Sequence, residues 1–310
     1  MAQPSISLPK PNPNQPYMEI SALQAGTIHL PNDLIIQGNA RTYTACPSLS
    51  FYLKHSQSDR HFIFDLGLRR DFDSYPPETK QYHETLMPSE VTQSVVESCE
   101  KGGINPAEVE RVVISHLHFD HIGDHSPFAK ATFILGGESR ASLKEGYPND
   151  PLSTTLADST PMDRTVFLDA DDFDTSVGPF PHAKDLFEDG SVYIIDTPGH
   201  CAGHITVLAR TSTDGAWMFL AGDVVHDTRL LTDHSTRIGT AAASGEPYCM
   251  HRDPVQAMVD ISRARELIKM QRVEFIISHD WKWVENNLSH AFLPGKIASK
   301  VRDVSTPGLI

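Results

Sequence analysis

Four short apolar runs in this chain of 310 residues each end in side chains able to bind a metal. Val112-Val113-Ile114 leads into His116-Leu117-His118-Phe119-Asp120-His121, and Val192-Tyr193-Ile194-Ile195 into Asp196-Thr197-Pro198-Gly199-His200. Trp217-Met218-Phe219-Leu220 leads into Ala221-Gly222-Asp223, and Phe275-Ile276-Ile277 into Ser278-His279. Runs of this length read as strands buried on both faces. Strand ends on one edge of a sheet converge, so a fold that aligns these four strands brings all their donors to one place.

The densest of these donor sets packs three histidines and an aspartate into six residues. Imidazole and carboxylate groups suit Zn2+ and also accept manganese or iron, and no packing requirement calls for so many in succession. No thiolate belongs to the set. Sites of this composition keep positions open to water and substrate, unlike closed cysteine-rich staples, and this favours catalysis over a structural role.

Composition narrows the field. The formal charge of −14 repels a phosphate backbone and argues against nucleic acid as a partner. No apolar run approaches the ~20 residues needed to cross a bilayer, so no membrane span is expected. Cys46, Cys99, Cys201 and Cys249 show no CxxC spacing and read as reduced thiols in a cytoplasmic protein. Residues 1–18, with five prolines and no apolar stretch, read as an extended arm able to reach a neighbouring subunit, and residues 19–310 as the folded domain.

Local signals suggest strands alternating with helices. Phe51-Tyr52-Leu53 and His61 to Asp65 form a predicted hairpin. From Pro88-Ser89 the spacing of Val91, Val95 and Cys99 predicts a helix ended by Gly102-Gly103. Asn105-Pro106-Ala107-Glu108 and Asp253-Pro254-Val255-Gln256 both have the grammar of a helix start, and the second opens a helix with a predicted apolar face of Val255, Met258, Val259, Ile261 and Leu267. The segment from Asp158 to Asp189 lacks regular periodicity and reads as an excursion over the site mouth or a solvated acidic loop.

His-x-His-x-Asp-His followed at long intervals by His200, Asp223 and His279 resembles the metallo-β-lactamase superfamily, as do the Asp65-Leu66-Gly67 turn and the Thr197-Pro198-Gly199-His200 loop. The resemblance runs from about Ala22 to about Leu293. It implies an α+β fold, a four-layer αββα sandwich with a two-zinc site on one edge. His116, His118 and His200 would hold one ion, Asp120, His121 and His279 the second, and Asp223 would bridge them. Coordination lowers the pKa of water from ~15.7 toward ~7, so the implied nucleophile is a metal-bridging hydroxide.

Within the superfamily, Phe119 and the loop from Thr197 to His204 are similar to the lactonase-like branch, which includes N-acyl-homoserine lactonases and fungal enzymes that open lactones or lactams. The N-acyl-homoserine lactonases place a tyrosine three residues after the bridging aspartate, where it supports the substrate carbonyl and leaving group. Here Asp223-Val224-Val225 leads to His226, which can donate a hydrogen bond to an oxyanion or protonate a leaving group. The expected function is therefore hydrolysis of a small-molecule lactone or lactam of secondary metabolism, with Asp120 and His226 as catalytic residues. A thioesterase on the same metal site is the alternative, although Lys296, Lys300 and Arg302 offer only a thin basic patch. A metal-dependent binding protein is the alternative outside enzymology. Asp124, His125 and His204 read as supporting or exposed residues, Cys201 as pointing away from the metals, and Trp281 and Trp283 as a pocket wall or core.

Overall fold

In the computed structural model, which describes residues 7–243 and 246–300, strand assignment follows the apolar runs closely. The first sheet comprises β1 (Met18–Leu23), β2 (Ser50–His55), β3 (His61–Phe64), β4 (Arg111–Val113), β5 (Thr132–Gly136) and β6 (Thr165–Leu168), paired in chain order. The second comprises β7 (Thr175–Val177), β8 (Phe180–Asp185), β9 (Val192–Asp196), β10 (Ile205–Arg210), β11 (Trp217–Leu220) and β12 (Val273–Ile276), also in chain order. Each sheet changes from antiparallel to parallel pairing. The first does so between β3 and β4, and the second between β11 and β12.

The two-residue period of a strand divides the apolar residues among three packed layers. Phe62, Phe64, Val113, Ile194, Val207, Leu220 and Ile276 point between the sheets and form one core. Ile63, Val112 and Phe133 point outward from the first sheet onto helix α1 (Val95–Lys101), through Val95 and Cys99. Ile195, Leu208, Trp217 and Phe219 point outward from the second sheet. After α2 (Phe119–Ile122), described with the site below, helix α3 (Pro254–Ile268) covers that face with Ala257, Ile261, Ala264 and Leu267. Helix on sheet on sheet on helix is the expected four-layer sandwich.

Three local expectations are corrected. Helix α1 begins at Ser94, whose side chain completes a capping box with Glu97, and Ser89–Glu90 instead pairs with the strand Thr27–Pro31. The capping box satisfies orphan backbone donors better than Pro88 could. On α3, Val255 is 79% exposed and Val259 39%, so the buried stripe is shifted to Ala257, Ile261 and Ala264. Two small residues let the helix lie close to the sheet. Residues 158–189 are no excursion: they supply β6, β7 and β8, the edge of the first sheet and the first two strands of the second. Short strands with exposed faces leave little periodicity to read.

The described part of the arm lies on its own domain. The buried Arg210 guanidinium donates to the carbonyls of Pro9 and Gly190 and stacks 4.2 Å from the Trp217 ring. No helix among the described residues is long and apolar enough to cross a membrane. The shifted stripe on α3 is testable by urea unfolding. Ile261→Ala is expected to cost about 2–5 kcal/mol, and Val255→Ala to stay within about 0.5 kcal/mol.

Candidate metal centre

The loop after β4 is held from beneath by the turn after β3. Asp65, at φ +62°, takes the left-handed conformation that aspartate tolerates, and its carboxylate accepts from the Ser115 N–H (2.6 Å), the Ser115 hydroxyl (2.8 Å) and His121 Nδ1 (2.9 Å). The Leu66 and Gly123 N–H groups donate to the His121 and Gly67 carbonyls. The single helical turn α2 thus sits rigidly against that earlier turn. Tyr75, buried under the loop, donates to the Phe119 carbonyl (2.8 Å) and packs edge-on against the Phe119 ring.

Three imidazoles meet on one side of the site. His116 Nε2 lies 2.9 Å from His118 Nδ1, and His200 Nε2 lies 3.2 Å and 3.0 Å from those two nitrogens. Three nitrogens facing one point cannot all satisfy one another as donors and acceptors. Ligand nitrogens around a tetrahedral Zn2+ with bonds of about 2.05 Å stand about 3.3 Å apart, so the observed spacing fits a common cation. The opposite nitrogen of His116 is held by the Ser115 hydroxyl at 2.9 Å, which leaves Nε2 free to bind.

Asp120, His121 and His279 make the second set. Asp120 Oδ2 lies 3.5 Å from His121 Nε2 and 3.6 Å from His279 Nε2. The rear nitrogens of those histidines are occupied by Asp65 and by the Pro47 carbonyl at 2.9 Å. Asp223 stands between the sets. Its Oδ2 is 3.7 Å from His116 Nε2, 3.6 Å from His200 Nε2 and 3.3 Å from His121 Nε2, while Oδ1 is 3.3 Å from His279 Nε2. Gly222, at φ +51°, makes that position reachable: a Cβ there would come within 2.9 Å of His204 Nε2.

Electrostatics separate the two sets. Burial and the neighbouring imidazoles hold His116 and His200 well below the ordinary histidine pKa, as neutral donors suited to a metal. Burial also works to lower His121 and His279, but Asp223 with Asp120, and Asp65 at His121, raises both. Burial alone would raise Asp223; His121, His279 and His226 outweigh it and bring its carboxyl well below the carboxylate range. A field that attracts positive charge thus surrounds the second set.

All seven expected ligands therefore come together. His226 joins them: its Nε2 lies 3.2 Å from Asp223 Oδ2 and its ring stacks 5.7 Å from His279, near enough for it to serve as a ligand too. Cys201 does not point away; its sulfur lies within 4.8 Å of the donor atoms of His116, His118 and His200, with burial raising its pKa so that it stays a thiol. His204 supports Asp223, accepting its N–H at 3.1 Å through Nε2, while Nδ1 bonds Thr197. His251, unsuspected in the sequence, lies buried with its ring 5.2 Å from that of His200 and 5.1 Å from that of His226. Its only signal was its place before the Asp253 helix cap.

Other candidates lie elsewhere. His125 Nε2 bonds the Asp158 carbonyl, and the Asp124 carboxylate accepts the Ser126 N–H. Trp283 packs against the inter-sheet core, and the partly exposed Trp281 lines a polar cavity beside His279. Lys296 pairs with Glu19, and Arg302 lies outside the described residues.

A family model described as the metallo-beta-lactamase superfamily matches residues 43–213. The chain is similar to a "Metallo-hydrolase mfmC" from Annulohypoxylon moriforme, 32% identical over 242 residues, covering 74% of this chain and 64% of the relative. It is also similar to a "Gamma-lactamase MBL2" from Gibberella moniliformis, 31% identical over 177 residues, covering 53% of this chain and 70% of the relative. This chain spans less than two thirds of the length of mfmC and 35% of that of a longer relative from Penicillium roqueforti. An N-acyl homoserine lactone hydrolase, solved with N-hexanoyl-L-homoserine at its catalytic metal centre, has the same fold: TM-score 0.64 at 17% identity, covering 90% of this chain and 98% of that one.

Two outcomes follow from the supporting residues. Asp65→Ala, which frees His121 to turn, is expected to weaken metal affinity about 10- to 100-fold in a competition titration with a chromophoric chelator. Burial lowers the native His204 pKa to about 3, while in the unfolded chain it protonates near 6.5. Stability should therefore fall as the pH drops from about 6.5 toward 3. The urea midpoint of His204→Gln should fall less over this range than that of the wild type.

Proposed function

This chain belongs to the metallo-beta-lactamase superfamily, and on that premise we propose that it adds water to a cyclic ester or amide of a small molecule, at two divalent ions. His116, His118 and His200 would hold one ion and Asp120, His121 and His279 the other, with Asp223 available to both. Nitrogen and carboxylate donors suit zinc, and manganese or iron are the alternatives. When bound, such ions polarise a carbonyl and make hydroxide available at neutral pH.

The observation that carries this reading is a cavity of about 140 Å3 opening on the donors. Its lining joins Asp120, Asp223, His226 and His279 to the apolar side chains of Ile28, Leu30, Met87 and Phe119. Sites for drug-sized ligands run to about 300–1,000 Å3, so this one suits a compact ring. Relatives named for γ-lactam and homoserine lactone hydrolysis support ring opening as the reaction.

The chain's own residues divide the work. The apolar wall excludes bulk water and presses the ring carbonyl toward the donors. His226 Nε2 donates a hydrogen bond to the carbonyl oxygen as it gains charge. Asp120 holds the proton of the attacking water and passes it to the ring oxygen or nitrogen, so that hydroxide ends on the carbonyl carbon and hydrogen on the leaving heteroatom.

Mass spectrometry of metal-loaded protein with lactones, lactams and thioesters tests the proposal. The expected result is gain of one water by a lactone or lactam, with Asp120→Asn lowering kcat roughly 10²- to 10⁴-fold. Thioester cleavage in preference to ring opening, or full turnover by both Asp120→Asn and His226→Ala with their metal content intact, overturns it.

A further inference from the structure

A second cavity, of about 270 Å3, also reaches the donors, at His118 and His200. Thr154, Tyr248 and Met250 line both cavities and divide them, and His118 is exposed to each. The two differ in chemistry. The first carries carboxylates and aliphatic side chains, whereas the second has His118 and His200 on its floor, Ser142 and Thr155 on its wall, and Arg252.

Among the described residues, no carboxylate pairs with Arg252. Among the described residues that line the second cavity there is no acid. The adjacent Asp253 spends its carboxylate on the helix cap, accepting from the Val255 and Gln256 N–H groups. Ion pairs among the described residues engage Arg229 and Arg263 and leave Arg252 out. Arg252 is exposed where it lines this cavity, so its guanidinium is open to an anion that enters.

The position of Arg252 is also set by the metal centre. Its N–H donates to the His200 carbonyl at 2.8 Å, and the Asp253 N–H to the Gly199 carbonyl at 3.2 Å. The side chain therefore starts beside a donor histidine and lines the second cavity, not the first.

We propose that the second cavity is a carboxylate subsite, in which Arg252 binds an anionic arm of a substrate whose ring occupies the apolar cavity. A guanidinium fork matches the two oxygens of a carboxylate, and the Ser142 and Thr155 hydroxyls complete a polar lining. Arg252 is a specificity-determining residue, and this role rests on the ring-opening reading only for the identity of the ring.

Equilibrium binding separates the two claims. Isothermal titration of metal-loaded protein with 3-oxocyclopentane-1-carboxylate, whose carbocyclic ring has no bond for water to open, and with its neutral carboxamide gives an affinity ratio that does not depend on turnover. The wild type should favour the carboxylate about 10- to 100-fold, the range of a charge-assisted contact. Arg252→Gln should bring the ratio near unity, Arg252→Lys should keep part of it, and the distant charge control Lys130→Gln should leave it in place. An undiminished ratio in Arg252→Gln, or equal loss for both probes, overturns the subsite. Selective binding of the carboxylate together with no hydrolysis of the matching lactone, 5-oxotetrahydrofuran-2-carboxylate, upholds the subsite while removing the ring-opening reading.

Discussion

Seven imidazoles, two carboxylates and a thiol aim their donor atoms into one buried space, and that crowding is tolerable only with a cation at its centre. Buried imidazoles repel one another's protons, and a desolvated carboxylate is costly without positive charge nearby. The depressed pKa values of His116 and His200 beside the raised values of His121 and His279 express this demand from both sides. The surrounding structure keeps the donors from relaxing away from each other.

Rigidity comes from the sandwich. Three apolar layers fix both sheets, and the donors sit on short loops that join strand ends at a common edge. Those loops are then tied across the sheets. The Ile205 N–H donates to the Ser115 carbonyl, the Ser278 N–H to the Gly222 carbonyl, and the Leu49 N–H to the Ser278 carbonyl. Asp65, Ser115 and Pro47 hold the rear nitrogens of three donor histidines, so orientation as well as position is set in advance. Preorganised donors suit a site that must stabilise charge without rearranging.

Much of this was legible along the chain because strands buried on both faces leave continuous apolar runs, and donors at their ends stand out. Val192 to Ile195 and Trp217 to Leu220 are examples. Helix α3 was legible in extent but misread in orientation: Val255 and Val259 are apolar yet exposed, while Ala257 and Ala264, too small to weigh in a pattern, carry the contact. The strands within residues 158–189 were hidden because edge strands keep one face in solvent. His251 and Arg252 were missed for a different reason. They lie outside the four apolar runs, just before a helix, and only the folding of that segment over His200 gives them a place at the site.

The sequence by itself determined the donor inventory, the strands that carry it and the family of folds able to gather it, since these depend on residue type and local periodicity. Only the tertiary structure decided that His226 points at Asp223, that the Cys201 sulfur comes near the donors, and that two cavities of opposite character meet at His118. Those facts depend on contacts between segments far apart in the chain, where a shift of a few ångströms separates a ligand from a bystander and no local pattern records the difference.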